Sequence, residues 1–155
     1  MRLNTFFSIH CDNFLIRNIN VNDHDKEYIL LLKQLTDTED ISITNFNDFI
    51  VSLNNNHCVF VIENTDTNKI VGTITVIIEQ KIIHNMGKVC HIEDVVVEQK
   101  YRRYGLGKKL LETAIQYALD EKCYKTILDC SENNTGFYTK NGQFKIKGTQ
   151  MALYH

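Results

Sequence analysis

Apolar residues along this chain alternate between short β-type runs and stripes at helical spacing. Residues 14–19 predict a first strand, and residues 57–63 and 70–79 predict two more. The turn-forming stretch 64–69 lies between the last two, so these strands are expected to form an antiparallel hairpin. Residues 88–97 are rich in β-branched side chains and predict the next strand.

Two amphipathic helices are predicted between the first strand and the hairpin. Asn22 or Asp23 is expected to cap the first helix, and Thr44 is expected to cap the second. The apolar faces of the two helices are Tyr28, Leu31, Leu32 and Leu35, and Phe46, Phe49, Ile50 and Leu53.

The second half of the chain predicts a regular alternation of strands and helices. A loop at 98–104 leads into a helix at 105–121, whose apolar stripe is wide enough to pack on a sheet. That stripe consists of Leu110, Leu111, Ala114, Ile115, Ala118 and Leu119. A short buried-type strand at 125–130, a short helix at 132–140 and a last strand or pair at 143–153 follow. The pattern indicates an α/β domain with a mixed sheet.

Length and composition favour one ordinary globular domain over residues 1–155, without a linker, repeat or low-complexity block. Hydrophobic residues make up 43% of the chain, and 17 basic residues face 19 acidic ones, for a net charge of −2. This balance gives no reason to expect a nucleic-acid or membrane partner. No apolar run approaches the roughly 20 residues that a membrane span needs. Residues 1–17 lack the apolar core of a signal peptide.

The chain has five cysteines, an odd number, and none forms a Cys-x-x-Cys pair. They are Cys11, Cys58, Cys90, Cys123 and Cys130. The pattern predicts a reducing, cytosolic setting, with neither a disulfide framework nor a metal site.

The strongest chemical signal is the end of the strand at 88–97 together with the basic, glycine-bearing loop at 101–108. Gly105 and Gly107 allow the backbone to approach a ligand closely, and N–H groups at the start of a helix favour phosphate oxygens. Arg102, Arg103 and Lys108 add positive charge. The loop predicts a diphosphate-bearing cofactor, although a plain surface turn has the same composition. It matches neither a P-loop nor a complete dinucleotide-binding fingerprint.

Two motifs in the second half resemble the GNAT superfamily of N-acetyltransferases. Arg102-x-x-Gly105-x-Gly107 is similar to the superfamily's acetyl-CoA pyrophosphate loop, and residues 133–142 resemble its C-terminal signature. Four further stretches, at 81–84, 91–95, 123–125 and 127–130, are similar to its glucosamine 6-phosphate N-acetyltransferases.

The resemblance implies a fold and a reaction. The fold is an α/β (α+β) domain, in which helices flank a mixed, mostly antiparallel sheet. The reaction is direct acetyl transfer from acetyl-CoA to the 2-amino group of glucosamine 6-phosphate in a ternary complex, for UDP-N-acetylglucosamine synthesis. The resemblance also implies a homodimer that shares its C-terminal strands.

The resemblance also implies which residues contact acetyl-CoA. The backbone of Val95, Val96 and Val97 would pair with the pantetheine arm, and Tyr138 would give a proton to the departing thiolate. The alternative for Tyr138 is plain packing on the core, and Asn134 either contacts the cofactor or caps a helix. The pyrophosphate loop comprises Arg102, Arg103, Tyr104, Gly105, Leu106, Gly107 and Lys108.

The sugar-phosphate site and the base are implied in the same way. Glu93 and Asp129 are the candidates for accepting the amine's proton, and the backbone carbonyl of Asp129 is an alternative to its carboxylate. The residues implied to bind the amino-sugar phosphate are Thr36, Lys81, Ile82, Ile83, His84, Glu93, Asp94, Val95, Tyr124, Lys125 and Asp129.

The chain departs from the family pattern at several positions. Tyr154 falls where an arginine usually helps to bind the substrate phosphate, and one residue is inserted near Gln143. Cys90 and Arg103 stand where glycines are common. Two other functions therefore stay open: acetyl transfer to a different amine, such as a polyamine, a protein N-terminus or a drug, and CoA binding without catalysis.

Overall fold

The computed structural model describes residues 8–155, in which six strands form one sheet. The strands are β1 (Ser8–Cys11), β2 (Phe14–Asn18), β3 (His57–Asn64), β4 (Lys69–Gln80), β5 (Lys88–Val97) and β6 (Cys123–Leu128). They lie in the sheet in chain order. Neighbours from β1 to β5 are antiparallel, and β6 runs parallel to β5. The predicted mixed, mostly antiparallel sheet is confirmed. Residues 1–7, which belong to the region examined for a signal peptide, lie outside the described residues, as does the Cys11 side chain.

Four α-helices, three 3-10 turns and one irregular helical turn at Ile83–Met86 connect the strands. The helices are α1 (Tyr28–Leu32), α2 (Ile43–Ser52), α3 (Leu106–Asp120) and α4 (Thr135–Gly142). Turns of 3-10 helix occupy Val21–Lys26, Gln99–Tyr101 and Glu132–Asn134. Strand β6 therefore follows β5 through α3, which is the crossover that a parallel pair requires.

The first predicted helix is interrupted. Glu27 adopts a left-handed conformation with φ of 64°, so a 3-10 turn precedes it and the short α1 follows it. Asn20, not Asn22 or Asp23, accepts the capping hydrogen bond of that turn. Helix α2 begins two positions earlier than predicted, because the Ser42 hydroxyl, not Thr44, caps it by accepting from the Asn45 N–H.

Side chains bury both faces of the sheet. Leu110 and Leu111 of α3 are fully buried against one face, next to Phe60 and Ile74. The opposite face carries a second core around α1 and α2, consisting of Ile19, Tyr28, Leu31, Phe46, Val59, Val61, Ile70 and Val96. Leu119 of the predicted stripe lies outside the core, because it is 61% exposed near the end of α3.

The last part of the chain differs most from the prediction. Residues 143–155 contain no strand, so the predicted last strand at 143–153 is wrong. Phe144 packs on the core of the α3 face, but the apolar side chains beyond it are exposed. They are Ile146, Met151, Leu153 and Tyr154, each at least 80% exposed. Strand β6 is also less buried than predicted, because it lies at the edge of the sheet.

Four cysteines of the described region are free thiols, with Cys58 and Cys90 buried and Cys130 exposed. None of the helices within residues 8–155 combines the length and apolar character that a bilayer crossing requires.

Candidate active site

An extra residue in β5 shapes the centre of the sheet. Thr75 of β4 lies opposite Glu93, whereas Thr73 lies opposite Val96, so β5 has one more residue than β4 in this interval. Asp94 accommodates the additional residue with a left-handed φ of 51°. A bulge of this kind bends its strand and increases the local twist. The bend lies immediately before the two buried valines that end β5.

The same part of β5 separates from β6. The parallel pairing of the two strands ends at Ile92 and Leu128. Beyond that pair, the edge of β5 at residues 93–97 has no ladder partner among the described residues. Unpaired N–H and C=O groups on a strand edge can bind an extended chain by adding it as a new strand. The sheet therefore offers a backbone site where the family resemblance implies pantetheine binding.

The predicted phosphate loop leads from this edge to the N-terminus of α3. Gly105 has a φ of 74° at the N-cap position, and no side chain caps the helix there. The first N–H groups of a 15-residue helix are therefore free to bind an anion. Gly107 is needed for close packing, because a Cβ atom there would lie 3.2 Å from the ring of Phe137 in α4.

Arg102 connects the loop to the strand. Its Nε donates to the Val97 carbonyl oxygen at 3.0 Å, so the side chain holds the loop against the end of β5. Lys108 lies one turn before Glu112, with 3.5 Å between the charged atoms. Tyr104 is 62% exposed, and its ring packs edge-on against Phe14. The loop thus combines fixed backbone geometry with exposed cations.

Helix α4 carries Tyr138 in a half-buried position beside the aromatic rings of Phe137 and Phe144. Burial raises the pKa of the Tyr138 phenol, and the neighbouring Cys130 raises it further. Asn134 occupies the N-cap position of α4, but its side chain makes no capping hydrogen bond. The helix-capping alternative for Asn134 is therefore wrong.

Three acidic residues lie close together at the point where β5 and β6 separate. The pKa of the Glu93 carboxyl is raised by desolvation first and then by the charges of Asp94 and Asp129, while His91 opposes the shift. Asp129 also accepts a hydrogen bond from Gln150 Nε2 at 3.2 Å. The structure thus brings Asp129, which directly follows β6, close to the two acidic residues of β5, as the predicted roles require.

A second group of predicted residues lies on the connection between β4 and β5 and at the adjacent start of β6, which carries Tyr124 and Lys125. The rings of His84 and Tyr124 are 4.5 Å apart, and Lys125 Nζ lies 5.6 Å from the centre of the Tyr124 ring. Gly87 permits this contact, because a Cβ atom there would lie 2.8 Å from Tyr124 Cδ1. Ile82 and Ile83 are exposed on the same connection.

The tip of this connection is an unusual left-handed turn. His84, Asn85 and Met86 all have positive φ values, between 54° and 58°. Non-glycine residues in this region cost energy, and such residues cluster at functional sites.

Lys81 has a partner that the sequence reasoning missed. Glu79 forms an ion pair with the Lys81 ammonium, and its other carboxylate oxygen lies 2.9 Å from His91 Nε2. The only sequence signal for Glu79 is its spacing of two residues from Lys81 on β4.

Thr36 lies apart from the other predicted residues. It follows the C-terminal end of α1, where its N–H donates to the Leu32 carbonyl at 3.3 Å. Within residues 8–155, no hydrogen bond joins it to the acidic residues or to the β4–β5 connection. In the same part of the chain, no group of three His, Cys, Asp or Glu side chains is arranged to hold a metal ion.

Comparison with known proteins identifies the class. Residues 18–143 match the model of the acetyltransferase (GNAT) family, and the chain belongs to that family. Glucosamine 6-phosphate N-acetyltransferase of Arabidopsis thaliana is 40% identical over 146 residues, which are 92% of this chain and 97% of that protein. Glucosamine 6-phosphate N-acetyltransferase 1 of Dictyostelium discoideum is 38% identical over 150 residues, which are 95% and 94% of the two chains. The resemblance inferred from the sequence motifs is confirmed.

A solved structure agrees with this assignment. The crystal structure of the Arabidopsis thaliana enzyme aligns with a TM-score of 0.87 over 92% of this chain and 99% of that one. An aminoglycoside acetyltransferase from a soil metagenome shares the fold with a TM-score of 0.77 at 20% identity. The fold is therefore shared more widely than the sequence.

The raised pKa of Glu93 gives a stability prediction. A carboxyl whose pKa is higher in the folded state destabilises that state when it ionises, so stability falls as the pH rises through this range. Glu93→Gln removes the charge, and we expect it to raise Tm at about pH 8 but to have little effect at about pH 3. Thermal melts at both pH values measure the difference. Glu39→Gln, at an exposed position, is the control, and an unchanged or lower Tm for Glu93→Gln at the higher pH would contradict the assignment.

Proposed function

We propose that this chain transfers the acetyl group of acetyl-CoA to the 2-amino group of glucosamine 6-phosphate. The products are N-acetylglucosamine 6-phosphate and CoA, and both substrates are bound when the transfer occurs. The observation that carries the proposal is the open edge of β5 at residues 93–97, which has the clustered acidic residues beside it, on a strand that follows the basic β4–β5 connection. The names and high coverage of the relatives support the same substrate.

The open edge and the helix terminus suit the two parts of CoA that need different partners. Pantetheine is an extended amide chain, and the unpaired backbone of Val95 to Val97 offers the complementary hydrogen-bonding groups. The pyrophosphate is an anion, and the uncapped N-terminus of α3 offers N–H groups together with Arg103 and Lys108. Binding both substrates side by side supplies much of the rate by proximity.

Tyr138 is proposed as the proton donor to the departing sulfur. The amine nitrogen forms a bond to the thioester carbon, the C–S bond breaks, and the electron pair of that bond leaves on sulfur. A tyrosine hydroxyl is protonated near neutral pH, because its ordinary pKa is about 10, so Tyr138 can donate a hydrogen bond or its proton to the thiolate. The amine must lose a proton in the same overall reaction.

Glu93 is the group best suited to take up that proton. Its raised pKa makes it a better base near neutral pH than an ordinary carboxylate. Asp129 lies close enough to influence Glu93 and is the second candidate, through its carboxylate or its backbone carbonyl. Asp94, at the bulge, is proposed to accept a hydrogen bond from the sugar.

The sugar phosphate is proposed to bind at the β4–β5 connection. Lys81, His84 and Lys125 supply positive charge, and Tyr124 supplies a flat surface beside them. Ile82 and Ile83 belong to the same connection, and Thr36 stays a predicted contact. Tyr154 is 92% exposed at the end of the chain and does not supply the cation that an arginine would.

A homodimer is proposed for two reasons. The tail beyond Phe144 exposes four large apolar side chains, and β6 ends the sheet with Tyr124 and Ile127 partly exposed on it. A second copy could cover both surfaces by exchanging tails, which would also bring new residues to the sugar-phosphate site. The cytosolic location stays a prediction from the cysteine pattern.

The substrate assignment predicts a specific pattern of thiol release from acetyl-CoA. We expect release with glucosamine 6-phosphate that exceeds release with glucosamine, spermidine or a short peptide by at least about tenfold, because the cations recognise the phosphate. A spectrophotometric thiol assay at matched amine concentrations measures it. If another amine is preferred, the acetyltransferase assignment stands but the substrate assignment is wrong. CoA binding without thiol release would indicate a non-catalytic module.

The role of Tyr138 predicts a separation of turnover from binding. Tyr138→Phe keeps the ring but removes the hydroxyl, so kcat should fall about 100-fold while both KM values change little. Steady-state kinetics provide the measurement, and thermal melts verify that the variant is folded. Wild-type turnover in Tyr138→Phe would show that Tyr138 only packs on the core.

The proposed dimer predicts an assembly that depends on the apolar tail. Sedimentation velocity should give twice the 18.0 kDa chain mass, and Leu153→Glu should shift the population towards the monomer because it places a charge in the interface. Val51→Glu, at a position 81% exposed on α2, should leave the mass unchanged. A monomeric wild-type protein at micromolar concentration would refute the dimer.

A further inference from the structure

Glu79 lies on β4 next to the proposed phosphate site and contacts two side chains there. One carboxylate oxygen pairs with the ammonium of Lys81, two residues further along the chain. The other oxygen lies 2.9 Å from Nε2 of His91 on β5. Because the two contacts use different oxygens, they determine both the position and the orientation of the carboxylate.

We propose that Glu79 is a positioning residue that holds the Lys81 ammonium ready for the substrate phosphate. This inference rests on the proposed function, since it assigns the way in which one of its substrate-binding residues is oriented. Glu79 itself needs no contact with the substrate. Its effect on binding passes through Lys81.

The register of the sheet explains the arrangement. Ile77 lies opposite His91 and Glu79 lies opposite Val89, so Glu79 and His91 are diagonal neighbours on one face of the β4–β5 pair. The opposite face of both strands is occupied by the α3 core, which includes Ile78, Cys90 and Ile92. Val89 is buried on the face that carries Glu79, but Ile77 and the Glu79 side chain on that face are 38% and 42% exposed, so the carboxylate is accessible from solvent.

Lys81 gains most from such a partner because its side chain is long and flexible. A free lysine side chain samples many rotamers, and ordering it opposes ligand binding. Lys81 is 31% exposed and Glu79 is 42% exposed, so the pair remains accessible from solvent. The ammonium has three N–H donors, and the contact with Glu79 leaves others available for phosphate oxygens.

His91 extends the contact towards the acidic residues. His91 and Glu93 lie two residues apart on β5, on the same face of the strand. His91 also opposes the upward shift in the pKa of Glu93. Glu79 is thus connected on one side to the proposed phosphate site and on the other to the proposed base.

A double-mutant cycle on the full chain tests whether Glu79 acts through Lys81. Glu79→Gln, Lys81→Ala and the double variant are assayed by thiol release with glucosamine 6-phosphate and with glucosamine. Glu79→Gln is expected to raise KM for glucosamine 6-phosphate about fivefold, with kcat and KM for acetyl-CoA unchanged. In the Lys81→Ala background, Glu79→Gln should cause no further rise in KM for glucosamine 6-phosphate. With glucosamine, which lacks the phosphate, it should have no effect.

Two further variants make the result specific. Glu79→Asp retains the charge but shortens the side chain, so its KM should lie between those of the wild type and Glu79→Gln. Asp40→Asn removes the partner of an exposed ion pair with Lys33, at 2.5 Å, and should leave KM unchanged. Thermal melts verify that each variant is folded. If Glu79→Gln is not folded, the KM of Glu79→Asp replaces it as the test.

The outcomes separate this inference from the proposed function. If the wild type shows phosphate-dependent activity, two results would overturn the role of Glu79 but not the proposed function. One is an unchanged KM in Glu79→Gln, and the other is additive effects on KM in the double variant. Loss of kcat without a change in KM would overturn it as well. Absence of phosphate-dependent activity in the wild type would instead overturn the proposed function.

Discussion

The extra residue in β5 is the constraint on which the site depends. A regular strand at this position would pair with both neighbours throughout its length, and its backbone would have no free hydrogen-bonding groups. With Asp94 in a left-handed conformation, the strand bends while β6 diverges after Ile92, and one edge of residues 93–97 stays open. Beyond β6, helix α4 packs Phe137 and Tyr138 on the core of the α3 face.

The charges are arranged around that opening by the same geometry. The acidic residues Glu93, Asp94 and Asp129 lie where the strands separate, and desolvation, followed by repulsion from the other two carboxylates, raises the pKa of Glu93. The cations lie further back along the same strands, at the β4–β5 connection and on β6. A substrate with an amine at one end and a phosphate at the other matches this separation of negative and positive groups. Glu79 and His91 lie between the two groups.

Much of the scaffold could be predicted from the sequence because it follows from simple periodicity. The stripe of α3 at Leu110, Leu111 and Ala114 and the β3–β4 hairpin are local patterns, and the structure confirms both. Motif spacing was enough to identify the family. The conformation of Glu27 could not be predicted, because a left-handed residue that is not glycine leaves no signature in composition or spacing.

The details of the site depend on contacts between distant residues. The bulge at Asp94 follows from the register between β4 and β5, and the role of Gly87 from the place where Tyr124 packs. Neither relation can be inferred from local sequence. Residues 143–153 have the alternation of a strand but no strand partner within the described chain, which is why the prediction of a last strand was wrong.

Amide hydrogen exchange with and without acetyl-CoA tests the account most directly, because it reports on the backbone groups themselves. Protection should increase at residues 93–97 and at the first turn of α3, while β2 and β3 should change little. Unchanged exchange at residues 93–97 under saturating acetyl-CoA, in a protein that still releases thiol, would contradict the claim that the open edge of β5 binds the cofactor.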